Sequence, residues 1–309
     1  NELPSSAITE TEIGLAQFLL SIEKGTVDQA EVYFQWASQQ EKEQREKWLA
    51  EYLSTAYPNA SYAIEDATNA FDQIFENSRP DLIIKWRIDT ILSKEPGTIK
   101  WIDEFNLERN IFWDIGANIG IYSIYAAIKH KNIEVTSFEP STSNLRVLSR
   151  NISLNNLGQN IKIFQPALCK EENSFMMFNE HKFIEGWSMN QFSNDYNGDT
   201  SKDFEQNYKI YGTNIDSLIA QNILQVPNYI KLDVDGIEHL ILQGGEKTLK
   251  NSNLRSILVE IDESLKNQLN TVMNIMKNNN FTIKVKENVL INQKSKKFNN
   301  QFNYIFERN

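Results

Sequence analysis

From Ile111 onward the chain alternates short apolar runs with segments whose apolar residues recur every three or four positions. Ile111, Phe112 and Trp113 form a run expected of a buried parallel strand. Ile121, Ile124, Tyr125 and Ile128 then recur at helical spacing, and Val135 to Phe138 make a second strand that ends at Glu139. A polar helix is expected from Ser143 to Asn156, a third strand from Ile161 to Gln165, and a hairpin strand from Phe175 to Phe178. Residues 180–210 are polar, with isolated Trp187, Met189, Phe192 and Tyr196. Such a stretch fits a lid or substrate loop, and equally a plain surface insertion. Asn228 to Val234 gives another buried strand, followed by a helix starting at Ile237, Leu240 and Ile241. Arg255 to Ile261 is the next strand and Leu265 to Asn278 the next helix. Phe281 to Val285 and Phe302 to Phe306 form a closing antiparallel pair. The pattern predicts a doubly wound α/β sheet of seven main strands, with its site at their carboxyl ends.

Ahead of this alternation, residues 1–95 carry helical stripes. They are Leu15, Leu19 and Ile22; Ala30, Tyr33, Phe34 and Ala37; Leu49, Tyr52, Leu53 and Ala56; and Ala67, Ala70, Phe71 and Ile74. Gly25, Pro58 and Pro80 mark breaks. The charged run Glu41–Lys47 reads as a solvated face. The segment is expected to be a helical module that covers the catalytic domain, recognises a substrate, or mediates contact with a second copy or a neighbouring domain. Residues 96–309 then form the α/β domain.

The 309 residues carry a net charge of −10, which argues against a nucleic-acid partner. No run approaches the roughly 18 apolar residues of a membrane span, and the start lacks a signal-peptide pattern. Cys169 is the only cysteine, which excludes an intrachain disulfide and fits a reducing, cytoplasmic setting. His130, His181 and His239 form no zinc-like spacing.

Two stretches carry chemistry. In the first, Asp114 follows the opening strand, and Gly116, Asn118 and Gly120 make a tight turn into a helix. Glycines allow close backbone approach, and the helix N-terminus offers N–H groups and partial positive charge. Glu139, ending the second strand, is placed to accept bonds from two ribose hydroxyls. The dinucleotide fingerprint needs glycine where Asn118 stands. Asp-x-Gly-x-Asn-x-Gly instead looks like the first motif of class I S-adenosylmethionine-dependent methyltransferases. In the second stretch, Ile230 to Glu238, Asp233, Asp235 and Glu238 crowd the end of the strand Asn228–Val234, and Glu260 ends the neighbouring strand. Asp233 and Glu260 are expected to face one another across a cleft, and Lys231 to pair with one of the acids.

Asp-Ile-Gly-Ala-Asn-Ile-Gly, Phe-Glu-Pro, Gln-Pro-Ala-Leu, Lys-Leu-Asp-Val-Asp-Gly-Ile-Glu and Leu-Val-Glu-Ile together resemble the FkbM family of S-adenosylmethionine-dependent methyltransferases, over about residues 95–309. Glu95, Pro96 and Trp101 also resemble that family's opening segment. The family usually has Glu where Asp235 stands. The resemblance implies a class I, Rossmann-like seven-stranded sheet. It implies that Asp114, Gly116, Asn118 and Gly120 line the methionine end of S-adenosylmethionine, that Glu139 binds the ribose, and that Ala167 and Leu168 lie beside the adenine. Asp233 would sit near the transferred methyl group. Asp233, Glu238 or Glu260 would take the acceptor's proton. Two of them holding a magnesium ion is the less favoured route, since clustered acids alone do not establish a metal. The implied reaction is O-methylation of a sugar, polyketide or other small metabolite. The alternatives are N-methylation of a peptide or amide, or a non-catalytic module whose helical segment binds a partner. A dehydrogenase would need the missing glycine and a pyrophosphate turn. A relic would have no reason to keep Asp114, Gly120 and Glu139 in register.

Overall fold

The computed structural model describes residues 83, 84, 87, 90, 94–106, 110–192, 204–234, 236–288 and 300–309. The helical stripes expected between residues 15 and 74 lie outside the described residues, as do Tyr196 and Asp235. Ile83, Ile84, Arg87, Thr90 and Lys94 are helical. Helix α1 follows at Pro96–Asp103, with proline at its start, where a missing N–H is harmless.

The main sheet is built from β1 (Asn110–Ile115), β2 (Ile133–Phe138), β3 (Ile161–Phe164), β8 (Tyr229–Leu232), β9 (Ser256–Asp262), β10 (Phe281–Asn288) and β11 (Gln301–Arg308). Their order across the sheet is β10-β11-β9-β8-β1-β2-β3, seven strands in all. β11 runs antiparallel to β9 and β10, and the other neighbours are parallel. The order reverses between β1 and β8, which places a crevice at the carboxyl ends of those two strands. This is the class I, Rossmann-like arrangement that the motifs implied.

Side chains alternate along each strand and so feed two cores. Phe112 and Leu258 pack on one face with Ile102, Phe105, Ile124 of α2 (Ile121–Lys129) and Leu148 of α3 (Thr142–Leu154). Trp113, Ile115, Ile257 and Val259 pack on the other. Their partners are Leu218 of α4 (Ile215–Ala220), Ile241 of α5 (Glu238–Gln243), and Val272 and Met276 of α6 (Lys266–Asn278). Each fully buried aliphatic or aromatic side chain contributes about 1.5–3 kcal/mol, so these layers fix the frame on which the loops are held.

One part of the sequence-based picture changes. The strand expected at Phe175 is β5 (Ser174–Glu180), and it belongs to a separate four-stranded sheet, β4-β7-β5-β6. The others are β4 (Ala167–Leu168), β6 (Gln191–Phe192) and β7 (Gln206–Thr213). Both ends of the expected polar loop are therefore ordered as strand. The apolar signal there is thin, because β7 alternates exposed and half-buried positions and is stabilised through pairing with β5.

Candidate active site

The loop between β1 and α2 folds against β2, because the N–H groups of Gly116 and Ala117 both donate to the Phe138 carbonyl at 3.0 Å. Gly116 has φ +82°, and a Cβ there would lie 1.9 Å from the Asp233 carbonyl oxygen. Gly120 has φ +88°, and its Cβ would lie 2.4 Å from Leu148 Cδ1. Both glycines thus serve close approach of the chain to itself: one joins the two functional loops and the other seats α2 on α3. Asn118 is left-handed without being glycine, at φ 52°. Its N–H donates to Glu139 Oε2 at 2.7 Å, and Ser141 N–H donates to Oε1 at 2.9 Å. Two backbone donors therefore fix the Glu139 carboxylate at the end of β2. The Asn118 amide donates to the Trp187 carbonyl at 2.9 Å.

Lys231 is the centre of the second cluster. It stands opposite Asp114 in the β1–β8 register and is 1% exposed. Its Nζ bonds Asp233 Oδ2 at 2.8 Å, lies 4.0 Å from Asp114 Oδ1, and sits 5.0 Å over the Tyr122 ring. Burial works against its charge, but Asp233 and Asp114 hold its pKa above the ordinary lysine value. Asp233 is likewise disfavoured by burial, yet Lys231, then Lys94, pull its pKa down to about 2. Its side chain keeps 25% exposure and is within hydrogen-bonding reach of Glu260. Asp114 is fully buried beneath the loop; Oδ2 accepts from Ser123 at 2.6 Å, and burial raises its pKa despite Lys231.

Residues outside the glycine loop and the acid stretch complete the cluster. Glu95, 2% exposed, pairs with Lys94 at 2.6 Å and accepts from Asn303 Nδ2 at 3.3 Å. Burial opposes its ionisation, but Lys94 carries its pKa below the usual value. Tyr122 bonds Glu95, and burial together with that carboxylate pushes the phenol upward. The only sequence sign of these residues was Glu95 beside Pro96; Asn303, on a distant strand, gave none.

Glu238 faces its own loop. Its Oε1 accepts from the N–H groups of Val234 and Gly236, each at 3.1 Å. Burial raises its pKa to about 7 against those donors. Ala167 and Leu168 are buried where β4 pairs with Gly212 and Thr213 of β7. Among the described residues, no three His, Cys, Asp or Glu side chains converge as a metal site.

A model of the Methyltransferase FkbM domain matches residues 114–283, more than half of the chain. The chain belongs to the FkbM methyltransferase family. The FkbM match takes in the glycine loop, Glu139 and the acid cluster, and leaves Lys94, Glu95 and Asn303 outside. The methyltransferase sdnD of Sordaria araneosa is 40% identical over 76 residues, 24% of this chain and 29% of that protein. The match thus spans under a third of that relative's length. Among solved structures, methyltransferase FkbM of Methylobacillus flagellatus KT is 14% identical, with a TM-score of 0.45, covering 76% of this chain and 58% of that one. The precorrin-6y C5,15-methyltransferase of Geobacter metallireducens GS-15 is 13% identical, with a TM-score of 0.40, covering 69% of this chain and 86% of that one. No described helix is long and apolar enough to cross a membrane.

Proposed function

We propose that this FkbM-family protein is an S-adenosylmethionine-dependent O-methyltransferase acting on a hydroxyl of a sugar, polyketide or other small metabolite. The observation that carries the cofactor reading is the Glu139 carboxylate. It is buried at the end of β2 and fixed by two backbone N–H groups, one of them from the glycine loop. Each carboxylate oxygen has further lone-pair capacity, which suits a pair of ribose hydroxyls. The residues present therefore fit an adenosine-bearing cofactor. Asp114, Gly116, Asn118 and Gly120 shape the loop around it, and Ala167 and Leu168 form an apolar wall for the base.

When bound, S-adenosylmethionine supplies a methyl group already activated by its sulfonium. What the chain must add is alignment, exclusion of water, and a place for the acceptor's proton. Asp233 suits the last task. It keeps a quarter of its side chain exposed, and Lys231 holds it in one orientation through Oδ2. Asp233 receives the hydroxyl hydrogen bond at Oδ1 and takes the proton as the new bond forms. Its low pKa is compatible with this, because an oxygen that is gaining a methyl group becomes strongly acidic. Glu260, beside it, supports the acceptor. Glu238 is assigned to hold the loop rather than to touch the acceptor, because its carboxylate is already bonded to that loop's backbone.

The test is calorimetric. Glu139→Ala removes a charged acceptor worth roughly 1.5–3 kcal/mol per bond, so S-adenosylmethionine affinity should fall at least about tenfold in a variant that stays folded. Unchanged affinity would remove Glu139 as the ribose ligand. Mass spectrometry of metabolite extracts incubated with the protein and labelled cofactor then identifies the acceptor; label on nitrogen, or on none, would overturn O-methylation.

A further inference from the structure

The turn at residues 184–187 is held from three directions. The Trp187 carbonyl accepts from Asn118 Nδ2 at 2.9 Å and from Asn144 Nδ2 at 3.1 Å. The Gly186 N–H donates to Asn144 Oδ1 at 2.8 Å. On the other side, Arg87 Nε donates to the Gly186 carbonyl at 2.7 Å. Gly186 has φ +82°, and a Cβ there would meet Ile83 Cγ2 at 3.1 Å and Ile84 Cγ1 at 3.6 Å. Asn144 is 1% exposed and Trp187 is 3% exposed, with its ring stacked on His181 at 5.8 Å.

These bonds make one continuous path. Glu139 holds the Asn118 backbone, the Asn118 amide holds Trp187, and Asn144 holds both Trp187 and Gly186. Arg87 closes the path from a helical segment that precedes the region matched by the family model. Asn118 sits in the left-handed region, which asparagine tolerates better than most non-glycine residues, so its conformation is cheap and its position is set by its hydrogen bonds. Its side-chain amide spends its donor on the turn and its Oδ1 on Ile119 N–H. What the turn sets, therefore, is the position of the Asn118 N–H that grips Glu139.

We propose that the 184–187 turn is a positioning element for the ribose end of the cofactor site, with Asn144 its positioning residue and Arg87 its brace. The proposal rests on the reading of Glu139 as the ribose acid. Asn144→Asp keeps the acceptor for Gly186 N–H but sets a carboxylate oxygen against the Trp187 carbonyl. Gly186→Ala attacks the same turn from the Ile83 side. Arg87→Met keeps much of the apolar stem and removes only the brace.

The experiment is calorimetric titration of each variant with S-adenosylhomocysteine and with methylthioadenosine, which has the nucleoside but lacks the amino-acid end. It is paired with amide hydrogen exchange at Asn118 and Gly186. Asn144→Asp and Gly186→Ala should weaken both ligands by the same factor, roughly tenfold, and speed exchange at both amides. Arg87→Met should follow in the same direction by about threefold, and it carries the test if the buried variants fail to fold. Folded variants that bind both ligands like the wild type would overturn the proposal, as would weakening of S-adenosylhomocysteine alone. A wild type that binds neither ligand would instead overturn the Glu139 reading, and the proposal with it.

Discussion

Asp233 and Glu238 bound the same short loop, yet their surroundings drive them apart. Both are carboxylates that burial disfavours as ions. Asp233 has a buried ammonium at 2.8 Å, and its pKa falls to about 2. Glu238 has only neutral backbone N–H donors, its own and those of Gly236 and Val234, and burial raises its pKa to about 7. Neutral backbone donors do not offset desolvation of this carboxylate; a cation in contact, with Lys94 beyond it, does so for Asp233. The acid that stays ionised keeps a quarter of its side chain exposed, and the acid whose pKa lies near neutrality is closed into the loop it supports. The more perturbed neutral-range pKa therefore marks the supporting position, and geometry has to be read before titration.

Removing the cation should break the contrast most severely. Lys231→Met leaves Asp233 and the fully buried Asp114 without their shared partner, and breaking a buried pair costs about 3–5 kcal/mol. A fall of that size in chemical-denaturation stability, with loss of turnover, is the expected result. NMR titration of surviving folded protein should show Asp233 moved toward the Glu238 range. A stability within about 1 kcal/mol of wild type would mean that Lys231 is not what separates the two acids.

Asp233→Asn sharpens the comparison by changing only the open acid. It keeps shape and polarity and removes proton-accepting power. Turnover should fall by about 10²–10⁴, while S-adenosylmethionine affinity by calorimetry stays near wild type. Near-wild-type turnover on the identified acceptor would shift the proton to Glu260. A loss of affinity instead of turnover would make Asp233 a cofactor ligand.

Glu238→Gln should have the smallest effect, and one that depends on pH. Its folded pKa of about 7 stands above the ordinary 4.5. Its contribution to stability is thus full below pH 4.5 and lost as the pH rises through about 7. The variant should lack that decline, so its stability relative to wild type should grow between those two pH values and level off above. Asp233 has the opposite sign: its contribution is present above pH 3.8 and lost as the pH falls toward about 2. Parallel stability curves for wild type and Glu238→Gln between pH 4.5 and 7 would show that Glu238 titrates normally in the folded protein.

The strands and helices around the glycine turn were legible because their signals are local. An apolar run, a glycine turn and a helical stripe each lie within about ten residues, and the main sheet follows from their alternation. The second sheet was less so. β5 showed its aromatic residues, but β4 and β6 have two residues each and β7 is half polar; β6 and β7 are held by pairing across the gap from Phe178 to Phe192 and from Met177 to Lys209. Asp114, Gly116, Gly120 and Glu139 stood out by type and spacing, whereas the reasons for them did not. Gly116 is glycine because of a carbonyl more than a hundred residues on, and Gly120 because of a leucine on the next helix.

The sequence by itself determined the class of fold, the loop after β1, the acid ending β2, and the acids after β8, because each depends on neighbours along the chain. Only the tertiary structure decided what those groups do to one another. The β1–β8 register sets Lys231 opposite Asp114. The fold also brings Glu95 and Asn303 together across 208 positions, and ties Asn118 to Trp187 across 69. Charge state and hydrogen bonding depend on distance in space and on burial, and a linear pattern records neither.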